Sequence, residues 1–167
     1  IYNQANNNRV SYSQAEGAVS VNLATGLATG ADGNDTLSNI NQVRGSAFDD
    51  TIIGSNSSLI ETFEGLAGRD LIDGAGGIDI VSYTKSDAAV TVNLGTGQAS
   101  DGFGTTDTLT NGEGVLGSKF SDALIGGNPL NGWQDKENQP AHKEIEKKAE
   151  FFIDFFGKYF VENTKNS

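Results

Sequence analysis

The stretch Gly65–Ser82, GLAGRDLIDGAGGIDIVS, contains the same nine-residue pattern twice. Each repeat begins with a glycine, has a second glycine at its fourth position and an aspartate at its sixth, and continues with bulky aliphatic residues. Glycine adopts positive φ without steric cost, so the first six residues suit a tight turn. The aliphatic residues after the aspartate predict a short buried strand. The stretch therefore predicts turns and short strands that alternate every nine residues.

The same nine-residue frame occurs at four other places in the chain. The frame at Gly30–Ser38 keeps both glycines, whereas those that begin at Gly45, Gly102 and Gly117 replace the second one. Aspartates favour glycine-rich turns for conformational reasons alone, and that explanation stays open for any single frame. A shared role is indicated because the sixth position is aspartate every time: Asp35, Asp50, Asp70, Asp79, Asp107 and Asp122.

A longer repeat contains these frames. VSYSQAEGAVSVNLATGLATG, from Val10, matches VSYTKSDAAVTVNLGTGQASD, from Val81, and DTLSNINQVRGSAFDDTIIGSN, from Asp35, matches DTLTNGEGVLGSKFSDALIGGN, from Asp107. The chain thus contains two copies of a unit of about 71 residues, at 10–80 and 81–128. AVSVNL in the first copy and AVTVNL in the second alternate apolar with polar residues, which is typical of half-buried strands.

Short strands between Gly, Asp, Asn and Thr turns favour a β-solenoid, in which each coil buries aliphatic side chains against the next. We expect an all-β fold, a parallel β-roll or β-solenoid over residues 1–133, followed by an amphipathic α-helix in residues 134–167. Phe48 and Phe120 replace the second glycine of matching frames. We expect them to fill the core where a coil holds no cation; a binding surface is the alternative. Tyr12 and Tyr83 also match, and we expect them in the core or in a stacked row.

The nine-residue frame resembles the GGxGxDxUx repeat of the hemolysin-type calcium-binding (RTX) family. The resemblance covers about residues 10–133, and every frame lacks the glycine that the family has at the second position. It implies a β-roll that binds Ca²⁺ in its turns, folds when it does so, and belongs to a secreted or cell-surface protein.

Stacked turns would place the aspartate of one coil beside backbone carbonyls of the next, and Ca²⁺ takes about six to eight oxygen ligands. The chain has one histidine and no cysteine, so nothing in it favours zinc. We therefore predict Ca²⁺ as the cofactor. The predicted site comprises the frame aspartates, two neighbouring aspartates and the turn glycines: Asp35, Asp70, Asp79, Asp107, Asp50, Asp122, Asp32, Asp73, Gly30, Gly33, Gly65, Gly68, Gly74 and Gly77.

The charge of the chain restricts its partners. The net charge is −11, and residues 1–133 contain fifteen acidic against five basic residues. Such a surface repels nucleic acid and anionic membranes, so we expect calcium ions as partners and neither of those two. No stretch reaches the roughly 18 apolar residues of a membrane span. The sequence starts at Ile1 rather than Met, and we expect a fragment or processed product of an extracellular or cell-surface protein.

The segment AHKEIEKKAEFFIDFFGKYFVEN, from Ala141, has an apolar stripe at helical spacing and predicts a helix over residues 143–161. Four roles stay open for it. It caps the solenoid, it pairs with a second copy or another protein, it is a secretion signal, or it contacts a membrane surface. The last role is the least expected, because glutamates offset its lysines.

No catalytic motif stands out. The chain has no phosphate-binding loop and no G-x-S-x-G sequence, and His142, its one histidine, lies in a charged segment. We expect no enzyme activity. The expected function is that of a calcium-binding, calcium-folded extracellular module of a larger protein. The alternatives are a structural subunit of a surface layer, adhesin or filament and, less expected, an accessory domain of a secreted enzyme.

Overall fold

A computed structural model describes residues 8–127 of the chain. The predicted helix at 143–161, with its four open roles, lies outside the described residues. The described part contains no helix, hence none that could span a membrane. Its fourteen strands are β1 (Arg9–Ser11), β2 (Val19–Asn22), β3 (Leu27–Gly30), β4 (Gly33–Thr36), β5 (Gln42–Arg44), β6 (Thr51–Ile53), β7 (Ile60–Glu64), β8 (Leu71–Asp73), β9 (Ile78–Ser82), β10 (Thr91–Asn93), β11 (Gln98–Ser100), β12 (Thr106–Thr110), β13 (Gly114–Leu116) and β14 (Ala123–Ile125).

The strands form two sheets, which confirms the predicted all-β class. A five-stranded sheet has the order β1-β5-β7-β9-β13, and all its neighbours are parallel. A nine-stranded sheet has the order β14-β10-β11-β12-β8-β6-β2-β3-β4. In the second sheet β2-β3-β4 and β10-β11-β12 are antiparallel, so the prediction of parallel pairing is wrong for these strands.

The antiparallel pairs arise from short links. Only four residues, 23–26, connect β2 to β3, and such a link permits a hairpin, whereas parallel neighbours need a longer crossover. The side chain of Asn22 stabilises the link by accepting the N–H of Thr25 at 3.0 Å, and Asn93 accepts that of Thr96 at 3.1 Å in the second copy. The frame at Gly30–Ser38 is likewise part of a hairpin, because β3 ends at Gly30 and β4 begins at Gly33.

The two copies have matching strands and matching pairings. Strands β1 to β6 of the first copy correspond to β9 to β14 of the second. Pairs β1–β5 and β2–β6 recur as β9–β13 and β10–β14, with the same parallel register. Strands β7 and β8 lie between the copies, since β7 contacts β5 and β9 while β8 contacts β6 and β12.

The core consists of two rows of side chains, one from each sheet. In the nine-stranded sheet the row is level across four neighbouring parallel strands and contains Val21, Ile52, Ile72 and Leu109. In the five-stranded sheet the row contains Val43, Phe63 and Val81. All seven are buried. The alternation predicted for AVSVNL is confirmed, because Val19 and Val21 are buried and Ser20 is exposed. Each such side chain stabilises the fold by about 1.5–3 kcal/mol.

The prediction that Phe48 and Phe120 fill the core is wrong, because they are 45% and 43% exposed. The inside of the turn at Phe48 is occupied by a polar group, since Ser46 Oγ donates to Asp50 Oδ1 and accepts the N–H of Phe48. The phenyl ring is therefore left outside. Tyr83, by contrast, is buried in the core as predicted.

Candidate metal centre

Three frame aspartates lie side by side in the nine-stranded sheet. Asp50 and Asp70 immediately precede β6 and β8, and Asp107 lies at the matching level of β12. We call these three residues the aspartate row. All three are buried. Frames far apart in sequence thus place their carboxylates next to one another.

Each carboxylate of the row accepts a backbone N–H from the strand beside it. Asp50 Oδ1 accepts the N–H of Val19 at 2.8 Å. Asp70 Oδ1 accepts that of Asp50 at 2.8 Å, and Asp107 Oδ1 accepts that of Asp70 at 3.1 Å. All three bonds run in the same direction along the sheet. Asp122 repeats the pattern by accepting the N–H of Val90 at 2.9 Å.

In two members of the row, both carboxylate oxygens accept hydrogen bonds from the protein. Asp50 Oδ1 also accepts the hydroxyl of Ser46 at 2.7 Å, and its Oδ2 accepts the backbone N–H of Ser46. Asp107 Oδ2 accepts the hydroxyl of Tyr83 at 2.9 Å. These carboxylates are held by protein donors, which offset part of the cost of their burial without a cation.

Asp70 differs from its neighbours because its second oxygen is unpaired. The residue is 2% exposed, and no donor among residues 8–127 reaches Asp70 Oδ2. This oxygen lies against Gly65, where an added Cβ would overlap it. The first glycine of the frame is therefore required because the Asp70 carboxylate occupies the space that a side chain would need. Gly68 supplies the positive φ of the turn, +118°.

A second acidic row crosses the five-stranded sheet. Glu61 of β7 is level with Asp79 of β9, and Glu113 immediately precedes β13. Glu113 accepts the N–H of Asp79 at 2.8 Å, and Glu61 accepts the N–H and hydroxyl of Ser55, both at 2.7 Å. Asp79 itself is 1% exposed, and neither of its carboxylate oxygens has a donor within the described chain.

Backbone carbonyls approach these turns from neighbouring coils. The carbonyl of Asn111 and the side chain of Asp79 both lie where a Cβ on Gly74 would be. At Gly45 the same position is shared by Asp50 Oδ2 and the carbonyl of Gly65, the latter at 2.7 Å. A carboxylate and a carbonyl oxygen therefore meet at Gly45, and these are the ligand types that Ca²⁺ prefers.

Burial changes the acidity of the unpaired carboxyls. Desolvation raises the pKa of Asp70 to about 8, and the neighbouring Asp107 and Asp50 carboxylates add to the rise. Desolvation, with Glu113 and Glu61 nearby, raises the pKa of Asp79 to about 8. The pKa of Asp107 rises less, to about 6, because the N–H of Asp70 and the Tyr83 hydroxyl stabilise its charged form. A nearby cation would reverse these shifts.

Of the other predicted ligands, only Asp73 lies near these rows, since its charge contributes to the raised pKa of Asp79. Asp35 lies on the exposed strand β4 and accepts the Tyr12 hydroxyl at 3.0 Å. Asp32 is exposed and accepts the N–H of Glu16 at 3.4 Å. Asp73 is half-buried and accepts the side-chain N–H of Asn111 at 2.7 Å. The remaining glycines, Gly30, Gly33 and Gly77, lie in the β3–β4 hairpin and in the turn before Asp79.

Among the described residues, Ca²⁺ could therefore bind at individual carboxylates but not at a cluster of acidic side chains. Between residues 8 and 127 no three acidic or histidine side chains converge on one position that could hold a metal ion. A cation there would take most of its oxygens from backbone carbonyls. Asp70 and Asp79 suit that role best because Asp70 Oδ2 and both oxygens of Asp79 are buried and unpaired, whereas every carboxylate oxygen of Asp50 and Asp107 already accepts a protein donor.

The nine-residue frame did not reveal Glu61 and Glu113. Glu61 follows its glycine, Gly54, by seven residues instead of five, and no frame covers Glu113. A comparison of the copies does point to Glu113, because the equivalent residue of the first copy, Asn41, is also a polar acceptor. Asn41 Oδ1 accepts the N–H of Asn8 at 2.9 Å, as Glu113 accepts that of Asp79.

No known protein family model matches the chain, and no curated protein matches it significantly.

Proposed function

We propose that residues 8–127 form a calcium-binding β-solenoid module of a secreted or cell-surface protein, and that calcium completes its folding. The solenoid interpretation is supported by the parallel pairs that join β1-β5-β7-β9-β13, with β6 and β8 parallel in the other sheet. The extracellular assignment is supported by the acidic composition and by the resemblance of the nine-residue frame to the RTX repeat.

One observation carries the calcium proposal. Three buried carboxylate oxygens, Oδ2 of Asp70 and both of Asp79, have no donor in the described part of the chain. A buried carboxylate without a partner is costly, so it either takes up a proton or binds a cation. Asp70 lies against Gly65, and Asp79 lies against Gly74, where the backbone carbonyl of Asn111 also approaches. That combination is suited to a hard cation with many oxygen ligands.

Asp70 and Asp79 would each hold an ion in its own sheet, and backbone carbonyls would complete the shell of each ion. When bound, Ca²⁺ supplies positive charge that offsets the buried carboxylates. Asp70 lies between Asp50 and Asp107 in the aspartate row. Charge compensation at its position therefore lessens repulsion along three strands. Folding and ion binding are then coupled, because the unfolded chain does not assemble the ligands.

A calcium titration tests the proposal. Far-ultraviolet circular dichroism should show a cooperative gain of strand signal on addition of Ca²⁺ to the chelated protein. Extracellular modules bind with dissociation constants of about 10⁻⁴–10⁻³ M, and calorimetry should give a value in that range. Asp70→Asn and Asp79→Asn should each weaken binding at least tenfold. Asp87→Asn, which changes an exposed aspartate, is the matched control and should leave the titration unchanged.

The competing explanation is that both carboxyls are neutral acids in a calcium-independent fold. Asparagine is close in shape to a protonated aspartate, so Asp70→Asn and Asp79→Asn would then retain full stability. A chelated wild-type chain with a complete strand spectrum, together with unchanged variants, would contradict the calcium proposal and support this explanation.

A further inference from the structure

Each sheet ends, within the described residues, on strands that have one unpaired edge. Strands β1 and β4 form the outer edges at one end, and β13 and β14 form those at the other. The unpaired edge of a strand presents N–H and C=O groups that can bind a further strand.

The interior of the molecule contains a template for what these edges bind. Strands β7 and β8 pair with β5 and β6 on one side and with β9 and β12 on the other. By the internal repeat, β5 and β6 correspond to β13 and β14, while β9 and β12 correspond to β1 and β4. The strand edges that are unpaired at the two ends thus correspond, by the repeat, to edges that pair with β7 and β8 inside the molecule.

The exposure of side chains shows the same correspondence. Asp107 and Leu109 of β12 are buried, whereas their equivalents Asp35 and Leu37 are exposed and half-buried. At the other end, Ile52 of β6 is buried, whereas its equivalent Leu124 is half-buried. A neighbour whose end strands paired with each edge would bury both end rows, as β7 and β8 do inside.

The hydrogen bonds at the two ends are complementary. Asp35 and Asp107 both accept a tyrosine hydroxyl through Oδ2, but only Asp107 also accepts, through Oδ1, a backbone N–H. That N–H belongs to Asp70, a residue that precedes a strand of the adjacent coil. At the opposite end, Asp122 occupies the equivalent position before β14. One end therefore offers an acceptor and the other a donor.

We propose that copies of this chain associate head to tail, with β13 and β14 of one copy paired in parallel with β1 and β4 of the next. The register of the interior pairs places Ala123 beside Thr36 and Val115 beside Val10. The N–H of Asp122 donates to Asp35 Oδ1 of the next copy, as the N–H of Asp70 does to Asp107 within the chain. This inference rests on strand pairing and not on the calcium proposal.

Each copy has both kinds of end, so a second copy presents at one end the strands that the other end can bind. A heterologous contact of this kind builds rings or filaments, depending on whether its rotation closes.

Sedimentation velocity of the full chain, run over a range of protein concentrations in calcium and in chelator, tests the inference. In calcium the wild-type mass should rise with concentration through multiples of one chain. Ile125→Lys blocks one end at an exposed side chain, and Asp35→Lys blocks the other by replacing the acceptor with a cation. Each variant alone should stay at the mass of one chain, with its circular dichroism spectrum unchanged.

The decisive experiment mixes the two blocked variants, Ile125→Lys and Asp35→Lys. Each has one intact end, so the mixture should form a dimer of defined mass and nothing larger. Ser20→Lys, an exposed change on the interior strand β2, and Asp35→Asn, which keeps an acceptor oxygen, should both associate like the wild type. A wild-type chain that stays monomeric in calcium would overturn the inference, and so would association that neither blocked variant reduces. If the strand signal proves independent of calcium while association persists, the calcium proposal fails and this one stands.

Discussion

The backbone N–H of Asp50 donates to Asp70 Oδ1 over 2.8 Å, so the carboxylate of one coil binds the start of the strand beside it. The same relation joins Val19 to Asp50 and Asp70 to Asp107. A strand that begins at a turn leaves its first N–H groups without a ladder partner, and these carboxylates satisfy them. Asp50, Asp70 and Asp107 thus have a structural role in this sheet, whether or not a cation binds.

The first prediction concerns the acceptor role of Asp50. Asp50→Ala should lower the free energy of unfolding by about 2–4 kcal/mol, because it leaves buried donors of Val19 and Ser46 without an acceptor. Urea unfolding measures the change. Asp122→Ala is the matched control, since it removes the same group from a half-buried position where water can replace it, and should cost about 1 kcal/mol or less. Equal losses in the two variants would contradict the importance of burial.

The second prediction concerns the hydroxyl of Tyr83, which donates to Asp107 Oδ2. Tyr83→Phe should destabilise the fold by about 1–2 kcal/mol and raise the pKa of Asp107 above its value of about 6, because the lost bond stabilises the charged carboxylate. NMR titration of the Asp107 carboxyl measures the shift. Tyr12→Phe removes the equivalent bond to the exposed Asp35 and should have a smaller effect on stability. An unchanged Asp107 titration would show that this bond does not set its acidity.

The buried and exposed faces of the repeated strands were predictable from the sequence. The alternation of Val19, Ser20 and Val21 gives the buried face of β2, because a strand has only two faces. That prediction required only the period of the pattern. The nine-residue spacing did not predict the row of Asp50, Asp70 and Asp107, because these residues are 20 and 37 positions apart and strand pairing aligns them.

Features that depend on what fills a turn were not predictable from that period. Phe48 was expected in the core on grounds of hydrophobicity, but Ser46 and Asp50 occupy the inside of its turn through hydrogen bonds. The hairpins were missed because the length of the link at 23–26, and not the pattern of the strands, decides the pairing direction. The second acidic row was missed because Glu61 departs from the frame and is aligned only by tertiary pairing with Asp79.

The third prediction concerns Gly65, whose added Cβ would overlap the Asp70 carboxylate. Gly65→Ala should destabilise the fold by about 3 kcal/mol or more, because the side chain it displaces is buried and anchors the N–H of Asp50. Thermal unfolding measures the loss. Gly126→Ala is the matched control, because an added Cβ there meets no atom within 4 Å, and the melting temperature should change little. Similar melting temperatures for both variants would show that the added Cβ at Gly65 does not disturb the Asp70 carboxylate.

The fourth prediction concerns pH in the absence of metal. In the folded chain the pKa of Asp70 and that of Asp79 are both about 8, whereas an unfolded aspartate has a pKa of about 3.9. The folded state therefore holds protons that the unfolded state releases. The stability from these two groups is fully present below about pH 4 and is lost as the pH rises through about 8.

Urea unfolding in chelator should accordingly show stability that falls by up to about 1.4 kcal/mol per pH unit for each group between pH 4 and 8. Asp70→Asn and Asp79→Asn should flatten the dependence, because neither variant titrates at these positions. Calcium should oppose the fall, since an ion binds the charged carboxylates, and its binding at pH 7 should release protons that calorimetry detects in buffers of different ionisation enthalpy. Stability that rises with pH in chelator would show that both carboxyls are charged in the metal-free fold, and their burial would then need another source of positive charge.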